Sequence, residues 1–139
     1  MKQAHHTLVI ATPGRGLVEI TADTRAFVRE SGMANGVLTV FCRHTSASLT
    51  IQENADPAVR HDLDAFFKRL VPDGDPSWRH DSEGPDDMSA HIRTALTQSS
   101  LSIPLQDGHL ALGTWQGIFL WEHRTRPHRR EVQLHLIGE

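Results

Sequence analysis

A single cysteine, Cys42, stands among the 139 residues of the chain. It excludes an internal disulfide framework and suits a reducing compartment. It ends the apolar run GVLTVFC, where a buried, inert thiol is expected rather than a nucleophile. No apolar run approaches the roughly 18 residues of a membrane span. The opening stretch MKQAHHTLVI has too short an apolar run for a signal peptide, and Pro13 breaks it. Positive charge is not in excess either. Fourteen Lys and Arg face 17 Asp and Glu, and the formal net charge of −3 argues against broad binding to nucleic acid or acidic lipid. Repeats and low-complexity segments are lacking. These absences predict a cytoplasmic protein with neither nucleic-acid nor membrane partners. The length fits one domain over residues 1–139, enough to bury a core without a disulfide or structural metal.

What is present is an alternation of strand and helix signals. Gln3–Ile10 and Gly16–Thr21 read as strands joined by the turn Thr12-Pro13-Gly14. Thr21 or Asp23 is expected to cap a helix running to about Ser31, with Gly32 as its stop. Gly36–Cys42 and Ser48–Glu53 read as strands. Asp56 as N-cap and Pro57 in the first turn open a helix. Its residues Val59, Leu63, Phe66, Phe67 and Leu70 share one apolar face. A polar loop from Asp73 to Asp87 follows, long enough to suggest a functional role. The pattern then predicts a helix from about Met88 to Thr97 with Ile92, Ala95 and Leu96 facing inward. Ser102–Leu105 and Leu110–Leu112 flank the hairpin signal Asp107-Gly108. Gly117–Glu122 and Val132–Ile137 complete the strands. Strand runs with inserted helices predict an α+β fold.

Ten histidines is a high count for this length. His44, His80 and His91 lie in polar segments at element ends, and three imidazoles with an open position suit a catalytic zinc. Their spacing fixes no pair locally, so helix capping and loop hydrogen bonding remain the alternative. Asp86 and Asp87 are suited either to a hard cation such as Mg²⁺ or to charge compensation at a helix N-terminus. His44 near Ser46 and Ser48 lacks the nucleophile elbow of a serine hydrolase. Trp115 and Gln116 sit between glycines. The indole is a candidate platform for a planar ring and Gln116 for reading its edge, against a core tryptophan at a strand bend. Arg126, Arg129 and Arg130, with His128, are candidates for phosphate binding, against a solvated edge strand.

Three segments carry a resemblance: HTSASLTIQENADPAVRHDL from His44, RHDSEGPDDMSAHI from Arg79, and SSLSIPLQDGHLALGTWQGI from Ser99. They resemble the secondary thiamine-phosphate synthase family, the YjbQ-like proteins, over nearly the whole chain. The resemblance implies an α+β fold with an antiparallel-rich sheet or sandwich, about three helices and assembly as a homotrimer. It also implies one polar pocket near the subunit contacts, built from His44, Asn54, Asp56, His80, Glu83, His91 and Gln116. Within that pocket His44, Asn54, Asp56 and Glu83 are the catalytic candidates. Ser46, Trp115, Gln116 and Arg129 are the substrate-binding candidates, and His44, His80 and His91 those for a divalent metal, Zn or Mg. The implied reaction joins hydroxymethylpyrimidine diphosphate to thiazole phosphate with release of pyrophosphate, a small phosphorylated substrate. Such chemistry needs cations on the leaving diphosphate. The chain is too short for a (β/α)₈ barrel, which takes about 200 residues or more. A metal-dependent hydrolase and a non-catalytic small-ligand module are the competing expectations.

Overall fold

The computed structural model describes residues 1–139. Eight strands and three helices follow in the order β1 (Lys2–Thr12), β2 (Gly16–Glu19), α1 (Thr21–Ser31), β3 (Gly36–Cys42), β4 (Ala47–Glu53), α2 (Pro57–Leu70), α3 (Asp87–Leu96), β5 (Ser100–Gln106), β6 (His109–Leu110), β7 (Gln116–Glu122) and β8 (His128–Gly138). The fold is α+β, as expected. Two wholly antiparallel sheets form, ordered β1-β8-β3-β5-β6 and β2-β7-β4.

Period-two patterning explains how the sheets meet. Leu8 and Ile10 of β1, Leu38 and Val40 of β3, Leu101, Ile103 and Leu105 of β5, and Val132, Leu134 and Leu136 of β8 form one buried face. Leu49 of β4 and Ile118 and Leu120 of β7 oppose it, with Phe27 and Val28 of α1 in the same core. Strand β7 is buried on both faces. Phe119 and Trp121 point the other way, under α2, where Phe67 meets Trp121 edge-on with centroids 4.8 Å apart. The Arg60 guanidinium lies 4.7 Å from the Phe119 ring centroid.

Several local expectations fail for identifiable reasons. The turn at Pro13 does join β1 to β2 as expected, and the two strands enter different sheets, since β1 pairs with β8 and β2 with β7. Helix α1 starts at Thr21 with no side-chain cap, because the Thr21 hydroxyl donates to Glu19 (2.8 Å) and accepts from the Ile118 N–H (2.8 Å). Asp56 does cap α2, accepting from the Ala58 N–H at 2.9 Å, but no residue of that helix is fully buried. Helix α3 is rotated from its expected setting. Its buried residues are Asp87, Ser89, Ala90 and Arg93, whereas Ala95 is exposed and Leu96 is 57% exposed. Polar anchoring sets this rotation: Asp87 is held by Arg124 and Ser89 by Asp73. The segment around Arg130 is no solvated edge, because β8 lies between β1 and β3. Asp107 and Gly108 do form the β5–β6 turn, both with positive φ (48° and 80°), as a two-residue hairpin of this hand requires.

Leu134 is fully buried at the middle of the central strand β8. Leu134→Ala should therefore lower unfolding free energy by about 2–5 kcal/mol in a denaturant titration, while Val9→Ala on the exposed face should lower it by less than about 1 kcal/mol. Equal losses would contradict this placement of the core.

Candidate functional site

The Asp73–Asp86 loop and the first turns of α3 converge on the C-terminal end of β7. Asp87 and His91 are four residues apart on α3 and so share a face. Asp87 Oδ2 lies 3.1 Å from His91 Nε2 and 2.6 Å from His80 Nε2, and Glu83 Oε2 lies 3.1 Å from the same His80 nitrogen. The ligand-type atoms of His80, Asp87 and His91 all fall within 4.8 Å of one another. The other Asp87 oxygen accepts from Arg124 at 2.7 Å. Arg124 also donates to Asp86 Oδ2 (3.1 Å) and to the Glu83 carbonyl (2.9 Å), tying the loop to the start of α3.

The proton positions follow from chemistry. His91 Nδ1 faces the Thr45 carbonyl at 2.8 Å, and a carbonyl only accepts. Nδ1 therefore carries hydrogen, and in neutral imidazole Nε2 is left as a lone pair directed at the Asp87 carboxylate. Two acceptors face each other there unless a cation, either a proton or a metal ion, lies between them. The hydrogen bond to Asp87 raises the His80 pKa above its ordinary value, and the Glu83 charge adds to this. For Asp87, burial acts to raise the pKa, but the His80 hydrogen bond and the charges of His91 and Arg124 more than offset it and hold the carboxyl low. Asp86 behaves likewise: burial is outweighed by Arg124 and Thr125, which hold it well below the usual carboxylate range. The carboxylate of Asp86 is thus spent on Arg124 and Thr125, and Asp87 alone faces the histidines.

His44 is placed elsewhere. Its Nε2 accepts from the Glu131 N–H at 2.7 Å. Burial and the nearby Arg130 charge lower its pKa, so a neutral ring presents Nδ1–H. It lines an open cavity of about 640 Å³ together with Arg43, Thr45, Ser46, Thr94 and Arg130. Arg130 donates to the Ser46 carbonyl (3.2 Å) and hydroxyl (3.0 Å), and pairs with the fully buried Glu122. The same short segment supplies the Thr45 carbonyl that orients His91, so the cavity adjoins the histidine–aspartate trio. Arg129 is exposed. Cys42 is buried and its thiol pKa is raised by that burial, in keeping with an inert thiol.

The remaining candidates gather at the opposite end of the small sheet. Asn54 Nδ2 donates to Glu19 Oε2 at 3.0 Å, and Gln116 Oε1 accepts from the Gly113 N–H at 2.8 Å. Trp115 is no core residue, being 61% exposed, and its carbonyl accepts from the Asn54 N–H (3.0 Å). Six residue steps along β7 separate Gln116 from Glu122, about 20 Å. Within one chain, Asn54 and Gln116 therefore do not share a pocket with His80 and His91. Asp87, a cation candidate together with Asp86 in the sequence, is the carboxylate that joins the histidines, and Arg124, which no sequence pattern marked, anchors it. The Asp-x-x-x-His spacing on a helix was the available signal.

A profile of the UPF0047 protein YjbQ-like family matches residues 6–139. The chain belongs to the UPF0047 (YjbQ-like) family. It is 56% identical over 138 residues to the UPF0047 protein sll1880 of Synechocystis, covering 99% of this chain and 94% of that protein. It is 42% identical to YjbQ of Escherichia coli O157:H7 over 96% of both chains. A crystal structure of a YjbQ/UPF0047-family protein from Clostridium acetobutylicum superimposes with a TM-score of 0.83 at 36% identity, covering 96% of this chain and 99% of that one. The YjbQ-like kinship and fold implied by the sequence motifs hold. None of these descriptions mentions thiamine phosphate. No helix of this UPF0047 member is long and apolar enough to cross a membrane.

Two outcomes follow. In metal-free protein, Asp87→Asn should bring the His80 pKa down toward its ordinary value, read by NMR titration of the imidazole C–H signals. An unchanged pKa would contradict the Asp87 contact. Buried His123, meanwhile, is pushed down to about 3, first by burial and then by Arg93, Arg15 and Arg130. A depressed folded pKa means that unfolding takes up a proton between that value and the ordinary 6.5. Its contribution is intact above the ordinary value and is lost as pH falls, by at most about 1.4 kcal/mol per pH unit. His123→Gln should flatten the decline of stability between about pH 6.5 and pH 5, above the carboxylate range. Parallel stability curves for variant and native protein would rule this out.

Proposed function

We propose that this protein is a metal-dependent enzyme acting on a small phosphorylated molecule, with His80, Asp87 and His91 holding one divalent ion. The observation that carries this reading is the convergence of two imidazole nitrogens and one carboxylate oxygen within 4.8 Å. Zn–N bonds of about 2.0–2.1 Å bring ligand atoms to within about 4.2 Å of each other, so small side-chain shifts suffice. The outer contacts fit as well. His91 donates its second ring nitrogen to a carbonyl, and Arg124 fixes the second Asp87 oxygen, as outer-shell partners of metal ligands commonly do. Two imidazoles and a carboxylate suit zinc or another first-row divalent ion better than Mg²⁺, which prefers oxygen donors.

Such an ion supplies Lewis-acid polarisation of a phosphoryl oxygen and a bound water of lowered pKa. The chain's own groups account for the rest. Glu83, 3.1 Å from His80 and 60% exposed, is placed to accept a proton from an attacking group. His44 Nδ1–H and the Ser46 hydroxyl line the adjoining cavity and are donors for phosphate oxygens. Asp56, spent on capping α2, has a structural role in this reading. Transfer of hydroxymethylpyrimidine diphosphate onto thiazole phosphate, the reaction the motif resemblance implies, belongs to the same class and is the first substrate pair to assay.

Equilibrium dialysis with Zn²⁺ should give about one ion per chain and a raised Tm, the gain at 100 Kd being about 2.7 kcal/mol. His80→Ala and His91→Ala should each weaken binding about tenfold or more, while His44→Ala leaves it unchanged. Native protein that takes up no metal, or both variants binding as tightly as it does, would overturn the metal reading. Metal uptake without turnover of any phosphorylated substrate would overturn the enzymatic one.

A further inference from the structure

The end of the small sheet remote from the histidine–aspartate trio carries a second polar cavity, of about 560 Å³, within the range of small-molecule sites. Glu19 at the end of β2, Asn54 after β4, Thr114 and Gln116 before and at the start of β7, and Arg25 and Arg29 of α1 line it. The two arginines are one helical turn apart and therefore project side by side. Neither guanidinium takes part in an ion pair or hydrogen bond; of the arginines lining other cavities, Arg43, Arg124 and Arg130 are engaged and Arg126 is not. Arg25 and Arg29 also line an adjoining hollow of about 320 Å³.

The remaining groups are set to leave donors facing this space. Gln116 spends its oxygen on the Gly113 N–H, which leaves its amide NH₂ free. The Thr114 hydroxyl has no partner within the chain. The one carboxylate present, Glu19, is already occupied: it accepts from Thr21 (2.8 Å) and Asn54 (3.0 Å), and Arg60 lies 3.8 Å away. Its charge is therefore turned toward protein donors. Gly117 makes that packing possible. A Cβ there would sit 2.6 Å from Glu19 Oε2 and 3.0 Å from Asn54, so only glycine admits both side chains against β7. The first turn of α1 also borders the cavity through Thr21 and Ala22, its N-cap position having no side-chain cap.

We infer that this cavity is a second binding site, for a small phosphate-bearing molecule, gripped by Arg25, Arg29 and the Gln116 amide. Two forked guanidinia, an amide and a hydroxyl supply more donors than the two oxygens of a carboxylate take up, and phosphate oxygens match them. Within one chain the site is separate from the metal reading, because it shares no residue with the trio and lies about 20 Å along β7 from it.

The test uses the full chain stripped of metal with chelator, and inorganic pyrophosphate as the probe, followed by amide NMR titration at millimolar concentration. The expected result is saturable shifts at Arg25, Arg29, Thr114 and Gln116. Arg25→Gln combined with Arg29→Gln, both exposed and unpaired, should weaken binding about tenfold or more. Gln116→Glu keeps an acceptor for the Gly113 N–H but replaces the donor NH₂ with a carboxylate oxygen, and should weaken it while leaving Tm near the native value. Absence of saturable shifts at these four residues, shifts centred instead on Thr45, Glu83 and His91, or native affinity in the arginine variant would each overturn the proposal.

Discussion

Everything around the candidate metal centre depends on the two-sided use of one carboxylate. Asp87 gives one oxygen to Arg124 and turns the other to His80 and His91. Without Arg124 the carboxylate of Asp87, only 4% exposed at its side chain, would be free to rotate onto the imidazoles with both oxygens. With it, the carboxylate presents one oxygen in a fixed direction. Arg124 at the same time holds Asp86 and the Glu83 carbonyl. A single guanidinium thus joins the loop before α3, the start of α3 and the chain leaving β7. The orientation of α3 follows: its polar residues are drawn inward, and Leu96 is left outward.

That inversion explains what the sequence made legible and what it did not. Strands β4, β5 and β8 follow from alternating apolar residues, because burial at a sheet face is a local, period-two property, and β3 and β7 follow from short continuous apolar runs. Helix α3 does not follow from its apolar residues, because its setting is decided by ion pairs to Arg124 and by the Ser89–Asp73 hydrogen bond, made by residues 16 to 38 positions away. His80 and His91 were recognisable as candidates by type and position. Their third partner was recognisable only as one of a pair, since Asp87 shares its description with Asp86 until Arg124 and Thr125 are seen to occupy Asp86. His44 stood out equally well in the sequence, yet the Glu131 N–H claims its Nε2, a contact across 87 positions.

Within one chain, the residues expected at a shared pocket lie in two groups for a topological reason. Strands β2, β7 and β4 run antiparallel side by side. Segments close in sequence, such as Thr45–Ser46 and Asn54, therefore leave the sheet at opposite ends of β4. Segments far apart, such as Glu19, Asn54 and Gln116, arrive at the same end. Polar motifs that flank one strand are neighbours on paper and remote in space.

The length of β7 has a consequence for stoichiometry. Seven extended residues form a strut of about 20 Å with no slack, buried on both faces and therefore unable to shorten. A phosphate group with its immediate surroundings spans far less than that. Within one chain a phosphate group meets one end of the strut at a time, and a chain with both ends filled would hold two such groups, counted separately.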